Sequence, residues 1–366
     1  MELLVREEWE HTEPSLVRRA LDSVLVQFAL LPDGFDTSAA IAGEFREQRR
    51  SVYLSSKRMV ALPRGATNSV VAQALVHELV HALQDERHAV GPRLKYQPGE
   101  GDRIAALSAL AEGEALHVEA DLAALEGTNA SIAAESLQFP DVFAESIRPL
   151  PLLLRRAQLA PYIDGFNFVR YLRRTGGLPL VDWVWNCTSL GTDDLLHPER
   201  WVLARERHSC PPADAEPVRS EQPPWTAGAP ATFFDVLGES TLRLILAESL
   251  SFDDASNRAS AYATDGLTSF EVSGWRTVLW HIRVRSAHGL APLCEGLTSA
   301  LGGRRTEAAT ATSCWVQGRN SLAVACSGRD IRVLGRGPTS GRLSVSSTPA
   351  CLEMAEWLGG PGAGGT

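Results

Sequence analysis

The sequence predicts an α+β fold in which a mostly helical domain with a small edge sheet precedes a smaller α+β domain with antiparallel strands. Three stretches, residues 14–31, 69–88 and 103–126, carry apolar residues at helical spacing. This pattern is typical of helices that bury part of their surface. Later in the chain, apolar and polar residues alternate as in half-buried strands. The stretches that alternate in this way are 267–272, 276–285, 314–317, 322–327 and 330–334.

A proline-rich segment at residues 210–230 is the predicted linker between the two domains. It contains Pro211-Pro212 and Pro223-Pro224, and such a composition favours extended connections. We therefore expect a first domain at residues 1–209, a second domain at 231–358 and a flexible glycine-rich tail at 359–366. The length of 366 residues agrees with two domains.

Local signals predict the remaining elements. Residues 51–54 and 58–62 are rich in strand-forming residues on either side of a short polar turn, which predicts a hairpin. The further helices that the pattern predicts span 131–158, 162–174, 179–186, 237–250 and 287–301.

The most informative motif is H-E-L-V-H at residues 77–81. Side chains four residues apart are neighbours on one helix face, so His77 and His81 are able to bind one metal ion. Glu78 lies close enough to take a proton from a water molecule that the metal activates. The motif therefore predicts a zinc hydrolase with two histidine ligands and Glu78 as general base.

A catalytic zinc needs a third protein ligand and an open position for water. The predicted helix at residues 103–126 offers two carboxylates, Glu112 and Glu114, within the stretch Ala-Glu-Gly-Glu-Ala. Gln84 and Arg87 occupy the positions where the metzincin pattern has a glycine and a third histidine. The residues alone therefore favour a glutamate from the second helix as the third ligand. They do not decide between Glu112 and Glu114.

Together the two motifs resemble those of the gluzincins, which are zinc metallopeptidases. The longer pattern is similar to a family of poorly characterised bacterial metallopeptidase-like proteins. The resemblance continues into residues 161–169 and 195–201, and weakly into 236–239. It implies a zincin-like domain, zinc bound by His77, His81 and Glu112, and Glu78 as general base.

The resemblance also implies a peptide or protein substrate that pairs with the edge strand beside the cleft. A tetrahedral oxyanion needs a second donor besides zinc. Tyr162 and His197 are our candidates because they lie in the segments that carry the resemblance. Each has a structural alternative, since Tyr162 follows a proline and is able to anchor the predicted helix start, and His197 precedes a proline and is able to cap a turn. Asp85 is either an orienting partner of a ligand or an exposed carboxylate at the helix end.

Composition excludes several other functions. The net charge of −9, from 44 acidic and 35 basic residues, disfavours nucleic-acid binding. No segment has the apolar length of a transmembrane helix. The N-terminus lacks the basic start and apolar core of a signal peptide. We therefore expect a cytoplasmic protein, or a secreted or periplasmic one if a leader was removed.

None of the six cysteines forms a Cys-x-x-Cys pair, so a structural zinc site built on cysteines is not expected. Cys314 and Cys326 flank a predicted hairpin and are able to bridge its arms in an oxidising compartment. Free buried thiols are the alternative that we favour.

The sequence thus predicts a zinc-dependent metallopeptidase. The alternative is a non-catalytic zinc-binding or protein-interaction protein with a relict zincin site, and a third possibility is a metal-free helical scaffold. The second domain carries no convincing catalytic set, so we expect it to be structural or to bind a partner. The substrate and the oligomeric state are not determined by the sequence.

Overall fold

Helices and antiparallel sheet make up the structure, a computed structural model, and the predicted α+β class is confirmed. The described residues are 2–40, 51–62, 68–125, 149–210, 216–302, 312–317, 319–339 and 348–359. The helical pattern predicted at 131–148 and the tail predicted beyond residue 359 lie outside them.

The chain divides into two compact units. The first comprises Met1–Arg18, Asp36–Gln97 and Asp102–Ala213, and the second comprises Arg19–Phe35, Pro98–Gly101 and Asp214–Thr366. Residues 19–35 and 98–101 therefore belong to the later unit, which differs from the predicted boundaries at 209 and 231. Periodicity reports local structure only, whereas membership of a unit depends on contacts between residues far apart in sequence.

From residue 216 onwards, the proline-rich segment is part of the second unit. Trp225 donates from Nε1 to Thr277 Oγ1 at 3.1 Å. Ser220 Oγ lies 2.9 Å from His281 Nδ1. The segment predicted as a linker is therefore anchored by side chains over this part of its length.

Helices dominate the chain up to residue 210. They are α1 (Glu2–Thr12), α2 (Ser15–Gln27), α3 (Asn68–His88), α4 (Val90–Arg93), α5 (Gly101–Leu125), α6 (Leu152–Gly176), α7 (Leu178–Trp185), α8 (Thr192–Leu196) and α9 (Glu199–Glu206). The helices predicted at 14–31, 69–88, 103–126, 162–174 and 179–186 are confirmed within a few residues, except that α6 begins earlier. Helix α1 was not predicted from the sequence pattern.

The predicted hairpin before α3 is also confirmed. Strand β1 (Val52–Leu54) pairs antiparallel with β2 (Met59–Ala61), and Tyr53 lies opposite Val60. This two-stranded sheet contacts α3, the helix that carries the histidines.

The apolar core of the first unit lies around α5, α6 and α7. Phe168 of α6 and Trp201 of α9 are fully buried, with ring centroids 6.2 Å apart. The other large members of this core include Leu107, Leu110, Leu172, Leu180 and Trp185. Burial of such side chains contributes roughly 1.5–3 kcal/mol each, so this core fixes α5, which carries Glu112.

The second unit is built on one antiparallel sheet. Its strands are β3 (Ala231–Asp235), β4 (Tyr262–Val272), β5 (Trp275–Val284), β6 (Thr312–Gln317), β7 (Asn320–Ser327) and β8 (Asp330–Pro338), in the spatial order β3-β4-β5-β8-β7-β6. Its helices are α10 (Gly238–Leu246), α11 (Phe252–Ala259), α12 (Leu290–Ala300) and α13 (Thr348–Gly359).

An early segment of the chain completes this unit. Phe28, which follows α2, is fully buried and its ring centroid lies 6.2 Å from that of Trp280 on β5. Asn320 Nδ2 donates to the carbonyl oxygen of Val26 at 3.0 Å. These contacts explain why the residues after Arg18 belong to the second unit.

The cysteine interpretation was wrong. All six cysteines are paired, as Cys187–Cys210, Cys294–Cys326 and Cys314–Cys351. Neither free thiols nor a Cys314–Cys326 bridge is present. Cys314 lies on β6 against α13, a helix that the sequence analysis did not predict, so its partner was not foreseen.

Candidate metal site

Two helices bring three ligand atoms together. His77 and His81 lie four residues apart on α3, about 40° apart around the helix axis, and Glu112 projects from α5. The Nε2 atoms of the two imidazoles are 3.0 Å apart. Glu112 Oε2 lies 3.1 Å from His77 Nε2 and 3.6 Å from His81 Nε2. Among the described residues, this is the group of histidine, cysteine and acidic side chains able to hold a metal ion.

The separations fit one small cation. Zinc binds histidine nitrogen at about 2.0–2.1 Å and carboxylate oxygen at about 2.0–2.2 Å in tetrahedral geometry, so its ligand atoms lie about 3.3–3.5 Å apart. The observed distances of 3.0, 3.1 and 3.6 Å bracket that spacing. Two imidazole nitrogens and one carboxylate also match the donor set of catalytic zinc sites. The residues present therefore fit zinc.

The distal nitrogen of each histidine has its own partner. Glu119 Oε1 lies 2.5 Å from His77 Nδ1. Gln84 Oε1 lies 2.9 Å from His81 Nδ1. Such contacts hold the imidazole ring and its tautomer, so that Nε2 is directed to the common point.

The two candidate glutamates of α5 have different surroundings. Glu112 joins the two histidines, whereas Glu114 Oε2 accepts hydrogen bonds from Gln84 Nε2 at 2.9 Å and from Trp185 Nε1 at 3.0 Å. Glu114 therefore supports Gln84, which in turn contacts His81. The position of Glu112 agrees with the choice that the resemblance implied.

The glycine after Glu112 has a packing role. A Cβ atom at Gly113 would lie 2.2 Å from the backbone of Gly165 on α6, and one at Gly165 would lie 1.8 Å from the carbonyl oxygen of Ala109. The backbones of α5 and α6 therefore touch, which no side chain at these positions would allow. This explains physically why a glycine follows Glu112 in the sequence.

The charges of the cluster depend on one another. Burial alone would lower the pKa of His77, but the hydrogen bonds and charges of Glu112 and Glu119 raise it to about 10. Burial also opposes the protonation of His81, yet the charge of Glu112 raises its pKa. Although burial favours its neutral form, the two imidazoles lower the pKa of Glu112. The carboxylate thus attracts positive charge, which protons or a divalent cation are able to supply.

Glu78 faces a neighbouring element. It lies about 60° around α3 from His81, and its carboxylate contacts β1. Ser51 Oγ donates to Oε1 at 2.9 Å and the backbone N–H of Tyr53 donates to Oε2 at 2.5 Å. The side chains of His77, His81 and Glu112 are 17–19% exposed, whereas Glu78 is buried.

Asp85 is not the exposed carboxylate that was one alternative, because it is half-buried, and its described contacts are not with a metal ligand. It lies seven residues after Glu78, on the same face of α3. Its Oδ2 accepts a hydrogen bond from the hydroxyl of Tyr53 at 2.9 Å, and its Oδ1 accepts one from the backbone N–H of Gly91 at 2.8 Å. Burial and the hydrogen bond to Asp85 raise the pKa of Tyr53 to about 12.

The two candidate oxyanion donors are not part of the group of three ligands. Tyr162 lies on α6 three residues before Gly165, hence on the helix that crosses α5 beside Glu112. His197 directly follows α8, and its backbone N–H donates to the carbonyl oxygen of Asp193 at 3.0 Å. Their contact with a substrate stays a prediction.

Sequence reasoning missed the residues that support the ligands. Glu119 follows Glu112 by seven residues, which places both on one face of α5, and that spacing was the available signal. Gln84 was considered only as a mismatch to another zinc motif. Nothing local to the sequence connects Trp185 with His81, because a different helix supplies it.

Comparison with protein families, with curated proteins and with solved structures finds no match. Within the described residues, no helix is long and apolar enough to span a membrane.

Proposed function

We propose that this protein is a zinc-dependent metallopeptidase of the gluzincin type. The observation that carries the proposal is the convergence of His77, His81 and Glu112, whose ligand atoms lie 3.0–3.6 Å apart. The partners on the distal nitrogens of both histidines add support, because they are typical of metal-binding histidines.

Zinc held at this site would supply Lewis-acid polarisation of a substrate carbonyl and activation of water. The protein's own residues then have distinct roles. His77, His81 and Glu112 would hold the ion. Glu78 would take a proton from the attacking water and pass it to the leaving amine, and Tyr162 or His197 would hydrogen-bond the developing oxyanion. The partial exposure of the three ligands is what access by a peptide requires.

Zinc content tests the ligand set. Elemental analysis of metal-replete protein is expected to find about one zinc per chain in the wild type and a strong loss in Glu112→Ala. Asp121→Asn is the matched control, because Asp121 lies on the same helix but pairs with Arg173 and is 55% exposed. A folded wild type without zinc would overturn the assignment and return the histidines to a metal-free scaffold.

A peptide-library cleavage assay tests the reaction. Glu78→Gln is expected to bind zinc normally and to lose cleavage by about 10²–10⁴-fold, the usual contribution of a general base. Glu86→Gln, an exposed position on the same helix, serves as control. Zinc binding without cleavage by the wild type would instead favour the non-catalytic zinc-binding protein.

A further inference from the structure

The contacts of Glu78 single out the β1–β2 hairpin. Both carboxylate oxygens accept a hydrogen bond from this hairpin, one from Ser51 Oγ and one from the Tyr53 N–H. In an antiparallel pair, the N–H and C=O of one residue point to the same side of the strand. Because the N–H of Tyr53 donates to Glu78, both the N–H and the C=O of Tyr53 face α3 rather than its partner Val60 on β2.

The hairpin is held in place by two further carboxylates. Asp85 of α3 binds the hydroxyl of Tyr53. Glu8 of α1, which is buried, accepts hydrogen bonds from Ser55 Oγ at 2.6 Å and from the Ser56 N–H at 3.2 Å. Hydrogen bonds to charged groups are stronger than those between neutral groups. The turn is thus tied to α1 and the strand to α3.

We propose that the hairpin is the positioning element of the general base, with Ser51 as the residue that orients Glu78 and Glu8 as the residue that orients the hairpin. This inference rests on the proposed function, since it assigns Glu78 the role of base. Each carboxylate oxygen has two lone pairs, so one hydrogen bond per oxygen leaves both oxygens able to accept a proton.

Orientation matters for such a base because the reacting atoms must lie within about 3–3.5 Å of one another, and a displacement of about 1 Å costs about 10²-fold in rate. A glutamate side chain has several rotatable bonds, and free rotation about them would allow its carboxylate to occupy many positions. The two donors, Ser51 directly before β1 and Tyr53 on β1, restrict it to one direction. Loss of one donor is therefore expected to slow the reaction without changing metal or substrate binding.

Ser51→Ala tests the direct contact. Ser51→Thr keeps the hydroxyl and is expected to restore most of the rate. An unchanged or raised kcat in Ser51→Ala would show that the contact does not position the base.

Glu8→Ala tests the longer connection, with Glu7→Ala as the matched control. Glu7 neighbours Glu8 on α1 and pairs with Lys57 of the same turn, but it is 62% exposed, and an exposed ion pair holds an element in place only weakly. We expect Glu8→Ala to lower kcat as Ser51→Ala does and Glu7→Ala to leave it unchanged. If Glu8→Ala does not fold, Ser55→Ala removes one of the same hydrogen bonds. Equal effects of the two glutamate variants would overturn the role of Glu8.

Amide hydrogen exchange of Tyr53 gives a readout that is independent of activity. Protection of this N–H is expected in the zinc-free and zinc-loaded wild type and is expected to fall at least ten-fold in Glu78→Ala and in Glu8→Ala. Unchanged protection in both variants would overturn the proposal.

The two proposals fail in different ways. Cleavage by the wild type with an unchanged kcat in both Ser51→Ala and Glu8→Ala overturns the positioning role and leaves the metallopeptidase standing. Absence of cleavage by the zinc-loaded wild type overturns the metallopeptidase, and with it the positioning role of the hairpin in catalysis, whatever the exchange of Tyr53.

Discussion

At the scale of single residues, the candidate site depends on groups that are not themselves candidate metal ligands. Glu119 Oε1 lies within hydrogen-bond distance of His77 Nδ1, and Gln84 Oε1 lies within hydrogen-bond distance of His81 Nδ1. Because each imidazole presents only its Nε2 to the common point, the orientation of the ring decides whether a ligand atom is available.

With zinc bound as proposed, Glu119→Gln is expected to weaken its binding by about 10–100-fold, the usual cost of losing such a partner. The amide keeps the shape of the side chain but removes the charge that favours the oriented imidazole. Competition of the protein with a chelator of known affinity measures the change. An affinity equal to that of the Asp121→Asn control would contradict a supporting role for Glu119.

At the scale of elements, the site depends on how closely two helices approach. Gly113 and Gly165 let α5 and α6 touch through their backbones. A helix interior usually disfavours glycine by about 1 kcal/mol relative to alanine. Here the close approach outweighs that preference, because any Cβ atom would overlap main-chain atoms that are unable to rotate away.

Gly113→Ala is expected to lower the free energy of unfolding by about 1–3 kcal/mol, as overpacking does, and to reduce zinc occupancy because Glu112 is adjacent. Gly296→Ala on α12 is the matched control, since the nearest atoms there belong to side chains that are able to move. Chemical denaturation measures both variants. Equal or greater stability of Gly113→Ala would contradict the close approach of the helices.

At the scale of the whole molecule, three disulfides connect elements that lie apart in the sequence. Cys294–Cys326 joins α12 to β7, and Cys314–Cys351 joins β6 to α13. Such complete pairing is typical of proteins that fold in an oxidising compartment.

Peptide mapping of the unreduced protein is expected to recover three linked pairs and no free thiol. Removal of the Cys294–Cys326 bridge by a double alanine substitution is expected to destabilise the protein by about 2–5 kcal/mol. A linked peptide that joins Cys314 to Cys326, or reaction of unfolded and unreduced protein with a thiol reagent, would contradict the pairing.

The sequence by itself determined the helices that carry His77, His81 and Glu112, the hairpin before them and most strands of the second unit, because hydrophobic periodicity and ligand spacing are local properties. Only the tertiary structure decided which glutamate of α5 meets the histidines, which groups support them, which cysteines pair and to which unit residues 19–35 belong. Each of these depends on contacts between elements distant in the chain. No local pattern encodes such contacts, since they arise when separate elements bury their apolar surfaces together.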